Sequence, residues 1–178
     1  EVTRDLHANG PVGVMTDYEA KFHDQGLPIC RCVGTMVPWE EPFPTDIRRV
    51  KNRWLDVFAD GVPDADLGKR VLSEGNYLWH LFSWELVPCL SGDAARQALA
   101  AAPGEKYLFY YEYPPEGEPL VRPVTAEELA ALPTDAGAIP GADWYLVDKD
   151  FTWTYVQTHE ADCGPYFCRR DPSLSVSG

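Results

Sequence analysis

The sequence predicts an α+β fold, a single domain in which helices pack on a largely antiparallel sheet. Helical and strand-like segments follow one another without regular βαβ alternation. The chain has 178 residues, the length of one domain, and its 45% hydrophobic and 24% charged residues are ordinary globular values. Sixteen of the 22 aromatic residues lie between Tyr77 and Phe167, so we expect the sheet and the centre of the core there.

The two ends of the chain are expected to lie outside the domain, which is predicted to span residues 16–170. Residues 1–15 are rich in small and polar side chains and indicate a loose N-terminus or a tag remnant. Residues 171–178 are predicted to form a disordered tail.

The first predicted elements are a helix and a short strand. Thr16 and Glu19 have the spacing of a capping box, which predicts a helix that begins there and ends near Gly26. Residues 27–33 are predicted to form a strand. Three prolines in residues 38–44 exclude a regular helix, so this segment is expected to be a connection.

The clearest helix covers residues 47–58, where a single apolar stripe is formed by Ile47, Val50, Trp54, Val57 and Phe58. Thr45 or Asp46 can cap its start, and Gly61 lies just past its end. A short second helix is expected within residues 64–73.

Three further elements are predicted between residues 77 and 113. Aromatic enrichment in residues 77–84 favours a buried strand, although the run does not alternate cleanly. Ser91 is expected to cap an alanine-rich helix that continues through Ala102. Residues 106–113 form the strongest predicted strand, with apolar side chains on both faces, which indicates that both faces are covered.

The last third of the sequence predicts a helix and a hairpin. Thr125 and Glu128 match a capping box that opens a short helix. Residues 144–147 and 151–158 are predicted to be the two strands of a hairpin. Residues 166–169 are expected to add a short edge strand.

The charge balance disfavours whole classes of function. Fifteen basic residues stand against 28 acidic ones, for a formal net charge of −13, which disfavours nucleic-acid binding. Residues 105–162 carry 12 acidic and three basic residues. This segment is consistent either with a solvated surface or with a surface that binds a basic partner. No apolar run approaches the ~20 residues of a transmembrane helix, so no membrane association is expected.

The cysteine pattern favours free thiols in a reducing, cytoplasmic setting, because five cysteines form an odd set in a chain too large to need disulfides. Cys30 and Cys32 are separated by a single residue, and neither this spacing nor that of His159, Cys163 and Cys168 forms a zinc knuckle. His159, Cys163 and Cys168 are therefore only weak metal candidates, and no cofactor is predicted.

Two histidines are the candidates for proton transfer. Strand alternation predicts that His159 shares a face with Trp153 and Tyr155, while Glu160 points to the other face and is a weaker catalytic candidate. We expect His159 to be partly buried and favour a structural role over a catalytic one. His80, flanked by apolar residues, is likewise expected to be a core histidine. No Gly-x-Ser-x-Gly elbow or glycine-rich phosphate loop is present.

Three stretches resemble a family of small bacterial proteins of unknown function. They are W-H-L-F-S at residues 79–83, D-K-D-F-T-W-T-Y-V-Q-T-H-E at residues 148–160 and G-P-Y-F at residues 164–167. The resemblance covers residues 45–168 and implies a bacterial domain without assigned catalytic roles. Cys163 and Cys168 fall outside the family pattern, which further weakens the metal hypothesis.

The preferred function is that of a non-enzymatic, acidic domain that binds another protein, such as an inhibitor or a toxin-immunity protein. Its predicted binding residues are aromatic or acidic: Trp79, Trp84, Tyr111, Trp153, Tyr155, Glu116, Glu118 and Asp135. The alternative is a small enzyme, such as a hydrolase, that uses His159 and His80 in an aromatic-lined cleft. A ligand-binding aromatic pocket without catalysis is the third reading.

Overall fold

The computed structural model describes four ranges of the chain, residues 42–73, 77–110, 114–132 and 142–170. The helix predicted from Thr16 and the strand predicted at residues 27–33 lie outside the described residues. Both ends of the chain also lie outside them, so the domain limits stay predictions.

The described residues form a six-stranded sheet in which every neighbouring pair is antiparallel. In chain order the strands are β1 (Leu90–Ser91), β2 (Lys106–Tyr110), β3 (Val121–Val124), β4 (Trp144–Asp148), β5 (Trp153–Gln157) and β6 (Tyr166–Arg169). Their order across the sheet is β1-β6-β5-β4-β2-β3. Together with the helices, this sheet confirms the predicted α+β fold.

The described part of the chain contains five helices, α1 (Ile47–Phe58), α2 (Asp64–Arg70), α3 (His80–Ser83), α4 (Gly92–Ala100) and α5 (Ala126–Ala131). The helices predicted from the stripe at residues 47–58 and from the Thr125–Glu128 capping box are confirmed, and the capping box is present in full. In the described ranges, no helix has the length and apolarity that crossing a bilayer requires.

Helix α1 begins and ends as its sequence predicts. The side chain of Asp46 accepts a 3.0 Å hydrogen bond from the backbone N–H of Arg48, so Asp46 is the N-cap. Gly61 follows the helix with φ +81°, a conformation that favours glycine. The buried stripe of α1 faces the sheet, and the indole N–H of Trp54 donates a 2.8 Å hydrogen bond to Oγ1 of Thr154 in β5.

The sheet is covered on both faces, as the apolar pattern of β2 predicted. The face toward α1, here the α1-side core, buries residues that include Trp54, Phe58, Phe82, Phe109, Tyr145, Val156 and Tyr166. The other face, here the α4-side core, buries Ala95 and Leu99 of α4 against Leu108, Trp144, Leu146, Trp153, Tyr155 and Phe167. Strands β4 and β5 are buried along their whole lengths, so they form the centre of the structure.

Residues 77–84 form no strand, contrary to the prediction. The backbone N–H of His80 donates to the carbonyl of Tyr77, and that of Ser83 donates to the carbonyl of Trp79, so the segment is a pair of turns around α3. Its buried side chains include Leu78, Trp79, Leu81 and Phe82. The aromatic enrichment therefore reflects packing into the core and not sheet formation.

The prediction of β6 as an edge strand was wrong. β6 pairs with β5 on one side and with the two-residue strand β1 on the other. No apolar pattern marks a strand as short as β1, because it spans a single pleat. Its pairing takes the backbone groups of β6 away from solvent and brings the end of residues 77–91 onto the sheet.

The Trp54–Thr154 hydrogen bond is expected to contribute measurably to stability. Thr154 is 0% exposed, so replacing it with the isosteric valine leaves the indole N–H of Trp54 buried without an acceptor. The hydroxyl of Thr154 also donates to the carbonyl of Leu146 at 3.1 Å, so we expect Thr154→Val to lower the free energy of unfolding by about 2–3 kcal/mol in urea denaturation. The control Thr154→Ser keeps the hydroxyl and should lose about 1 kcal/mol for its missing methyl. Equal losses in the two variants would contradict this role.

Candidate functional site

The candidate site lies at the end of the β4–β5 hairpin opposite its turn. Trp144, the first residue of β4, pairs with Gln157, the last residue of β5. Asp143 immediately precedes β4, and His159 follows β5 by two residues. Both side chains are therefore held by the two most deeply buried strands of the sheet, where little movement is possible.

Asp143 carries a buried carboxylate that accepts three hydrogen bonds. Oδ1 accepts from the backbone N–H of His159 at 2.8 Å and from its ring Nδ1, also at 2.8 Å. Oδ2 accepts from the indole N–H of Trp79 at 2.9 Å. The side chain of Asp143 is only 2% exposed, so these donors replace the water that the carboxylate loses.

The Asp143 contact defines the protonation pattern of His159. A carboxylate only accepts hydrogen bonds, so Nδ1 of His159 carries a proton and donates it. In the neutral ring Nε2 then holds a lone pair. The imidazole is 22% exposed, and Nε2 lies 4.0 Å from Oε1 of Glu160. This arrangement can accept and return a proton at Nε2.

His80 has the opposite tautomer. The indole N–H of Trp84 donates a 2.8 Å hydrogen bond to Nδ1 of His80, so Nδ1 is an acceptor and the proton of the neutral ring is on Nε2. The ring also stacks on Trp79 with centroids 4.2 Å apart. Burial lowers the pKa of His80 against the smaller opposing effect of Glu160 and Asp143. The protein therefore favours the neutral form of this histidine.

Aromatic rings bring the two histidines into one cluster. The Tyr77 ring meets His159 edge-on at 4.9 Å and lies parallel to His80 at 6.0 Å between centroids. Trp79 stacks on His80 and donates to the carboxylate that holds His159. We call this set the histidine cluster, formed by Tyr77, Trp79, His80, Trp84, Asp143 and His159.

The predicted orientation of His159 was wrong. The ring contacts Tyr77 and Trp79, which pack with the α1-side core, whereas Trp153 and Tyr155 belong to the α4-side core. Alternation fails because regular pairing stops at Gln157, and the chain then turns.

The expected separation of His159 from Glu160 fails for the same reason. The hydroxyl of Thr158 donates to the backbone carbonyls of Glu160 and Cys163, which holds the chain in a turn. Nε2 of His159 and the Glu160 carboxylate consequently lie near one another.

Several predicted binding residues cannot form a surface. Trp79, Trp153 and Tyr155 are each at most 1% exposed, so their rings are unavailable to a protein partner and serve the interior. Trp84 is 51% exposed, so its ring is accessible to a protein partner. Among the acidic candidates, Glu116 is exposed, while Glu118 forms a 2.9 Å ion pair with Arg122. Tyr111 and Asp135 lie outside the described residues.

The weak metal candidates are not brought together. In the part of the chain that the structure describes, no three histidine, cysteine or acidic side chains form a group able to hold a metal ion. Cys168 is buried in the α1-side core, and His159 is engaged by Asp143. Cys30 and Cys32 lie outside the described residues.

An open pocket of about 530 Å³ lies elsewhere, at the edge formed by β2 and β3. Its charged side chains already have partners within the protein. Arg122 pairs with Glu118 and Glu128, and Nζ of Lys106 donates to the carbonyls of Ala102 and Gly104. The histidine cluster is therefore the stronger candidate for chemistry.

Sequence reasoning missed Asp143. The available signal was one acidic residue placed directly before the apolar run at residues 144–147, which is the first predicted strand of the hairpin. That signal was weak, because Asp143 is one of 12 acidic residues in residues 105–162. The predicted start of the second hairpin strand at residue 151 was also wrong, since Phe151 has φ +56° and belongs to the turn, and β5 begins at Trp153.

The fold and the cluster define a class: an α+β domain whose buried aspartate orients a histidine at the end of a central hairpin. The chain belongs to the family described as Domain of unknown function (DUF4275), whose model matches residues 44–167. This confirms the resemblance to a family without assigned activity. Comparison with curated proteins and with solved structures finds no significant match.

The lowered pKa of His80 predicts a pH dependence of stability. A histidine in the unfolded chain titrates near pH 6.5. Above that pH, His80 is neutral in both the folded and the unfolded protein, and its contribution to the free energy of unfolding is at its maximum. As the pH falls below 6.5, the unfolded chain binds the proton first, and this stability is lost as the pH passes through the lowered pKa. Urea denaturation between pH 8 and pH 5 should show this loss.

The matched variant is His80→Asn, whose amide oxygen can replace Nδ1 as the acceptor for Trp84. The difference in unfolding free energy between the parent and this variant should shrink as the pH falls from 7 to 5. A difference that stays constant or grows would contradict the preference for neutral His80.

Proposed function

We propose that the protein is an enzyme in which His159 acts as a general base at Nε2. The single observation that carries the proposal is the 2.8 Å contact between Nδ1 of His159 and the 2% exposed carboxylate of Asp143. A general base needs a fixed ring with its lone pair directed outward, and a buried acidic partner provides both. Bonds to the backbone N–H of His159 and to Trp79 keep the carboxylate itself in place.

His80 supplies the complementary group in this proposal. Its neutral ring carries the proton on Nε2 because Trp84 occupies Nδ1. It can therefore donate a hydrogen bond to an oxygen of the substrate while His159 accepts a proton. The shared contact of both rings with Tyr77 supports their action on one substrate.

Hydrolysis is the reaction class we propose. In the described ranges, no serine, threonine or cysteine side chain is hydrogen-bonded to Nε2 of His159, so the base is proposed to act on water. Deprotonation of water by a positioned histidine contributes typically ~10²–10⁴-fold to a rate. The substrate group is the one that a neutral donor such as His80 can polarise, namely a carbonyl or phosphoryl oxygen.

Two substitutions of His159 separate catalysis from structure. His159→Asn places an amide nitrogen near the position of Nδ1, so it can keep the Asp143 hydrogen bond but has no base. His159→Gln places its amide near Nε2 and leaves Asp143 without one donor, at a cost of about 1.5–3 kcal/mol in unfolding free energy. We expect both variants to lose at least about 100-fold in kcat/KM, although His159→Asn stays close to parental stability.

The assay is a panel of chromogenic esters, amides and phosphate esters, with the unfolding free energy measured on every variant. Asp143→Asn should lower turnover, and the matched control Asp93→Asn, whose carboxylate is exposed on α4, should not. Parental turnover by His159→Asn would overturn the proposal. Absence of hydrolysis across the panel would remove the hydrolase assignment.

A second candidate function is the binding of a basic protein, as an inhibitor or immunity-like domain. Two large apolar side chains are exposed in the described part of the chain, Trp84 at 51% and Leu90 at 47%, and tryptophan is a residue type enriched at protein interfaces. The acidic composition supports a basic partner. We also propose that the protein is bacterial and located in the cytoplasm.

The binding proposal predicts a salt-dependent association. The probe is a protein that the immobilised chain retains at low salt. A triple variant that neutralises three acidic residues, Glu116→Gln, Glu118→Gln and Asp135→Asn, should associate with this protein more slowly than the parent does. The difference from the parent should vanish near 1 M salt, where the Debye length is roughly 3 Å. Asp93→Asn is again the control, because Asp93 lies outside residues 105–162. An association rate insensitive to salt and to the three substitutions would contradict the proposal.

A further inference from the structure

A pair of cysteines lies where β1 meets β6. The register pairs Leu90 with Phe167 and Ser91 with Tyr166. Cys89 directly precedes β1, and continuing the same antiparallel register by one residue places it opposite Cys168. Directly opposed residues of antiparallel strands point to the same face, and both thiols pack with the α1-side core. Both cysteines are free in the structure.

The hydrogen-bond pattern places this pair at the closer of the two kinds of cross-strand position. Gly92, which is opposite Pro165, donates its N–H to the carbonyl of that residue at 2.9 Å. Hydrogen-bonded and non-hydrogen-bonded pairs alternate along an antiparallel ladder, so Cys89 and Cys168 fall at a non-hydrogen-bonded pair. Such pairs have Cα atoms about 4.5 Å apart, within the range that a disulfide spans.

We propose that Cys89 and Cys168 are a disulfide-forming pair that can lock β1 onto β6. The oxidant is a small-molecule disulfide. The thiolate of Cys89, which is the more exposed of the two, attacks one sulfur of that molecule and releases one thiol. The thiolate of Cys168 then attacks the Cys89 sulfur of the mixed disulfide and releases the second thiol. The two cysteines lose two electrons and two protons, and the small disulfide gains them.

The environment of the pair makes the exchange slow at neutral pH. Burial raises the pKa of Cys89 to about 11, with a smaller contribution from Glu85. Burial also raises the pKa of Cys168 to about 11, and the neighbouring Cys89 adds to the effect. Since the thiolate is the attacking species, the rate should rise about tenfold per pH unit between pH 7.5 and pH 9.5.

The crosslink would act on a segment that matters for the site. Residues 77–88, which carry Trp79 and His80, lead directly into β1. A bond from Cys89 to β6 fixes the end of that segment to the strand beside β5. The proposal rests on strand register alone and is independent of the activity proposed for His159.

The test is incubation of the reduced full chain with oxidised glutathione at pH 8.5, followed by mass spectrometry of unreduced tryptic peptides. We expect the peptide containing Cys89 to be joined to the peptide that contains both Cys163 and Cys168, with a mass two hydrogens below their sum. Cys163→Ser is the matched control and should retain the link. Cys89→Ser and Cys168→Ser should abolish it, with circular dichroism showing that each variant is folded.

Two outcomes would overturn the proposal. Persistence of the link in Cys168→Ser would show that Cys163 is the partner of Cys89. Failure of the folded parent to form any link through Cys89 after prolonged incubation at pH 9.5 would show that the two sulfurs do not meet.

Discussion

The burial of the Asp143 carboxylate is the constraint on which the site depends. A charge that is 2% exposed is tolerated only because three N–H groups face it, and these come from two separate parts of the chain. Trp79 comes from residues 77–84, which contain no strand, and His159 comes from the far side of the hairpin. The carboxylate therefore determines both where that segment packs and which nitrogen of His159 carries the proton of the neutral ring.

The two-sided sheet provides the rigidity that this arrangement needs. Strands β4 and β5 are buried on both faces, so the residues just beyond their ends have fixed positions. Helix α1 adds a hydrogen bond from Trp54 to Thr154, which fixes the helix to β5. The same scaffold explains why aromatic residues such as Trp153 and Tyr155 are structural: their rings are buried in the α4-side core.

Local patterns were sufficient to predict α1, β2, the hairpin and the capping box of α5, because each rests on neighbours in sequence. They failed at residues 77–84, where aromatic side chains pack into the core from turns. The strand propensity of aromatic residues reflects how well they pack when buried, so it does not distinguish a buried turn from a buried strand. They also failed at His159, because alternation ends when Thr158 bonds to the following turn. The partnership of Asp143 with Trp79 joins residues 64 positions apart and leaves no trace in local sequence.

The strand order has a consequence for biosynthesis. The last strand, β6, lies between β1 and β5, and the hydrogen bond from α1 to β5 joins residues 100 positions apart. Helix α1 thus leaves the ribosome with its apolar stripe uncovered, since the strands that cover it are translated last. The domain cannot close until its C-terminal strands have emerged. Non-local pairing of this kind slows folding and prolongs the time for which apolar surface is exposed.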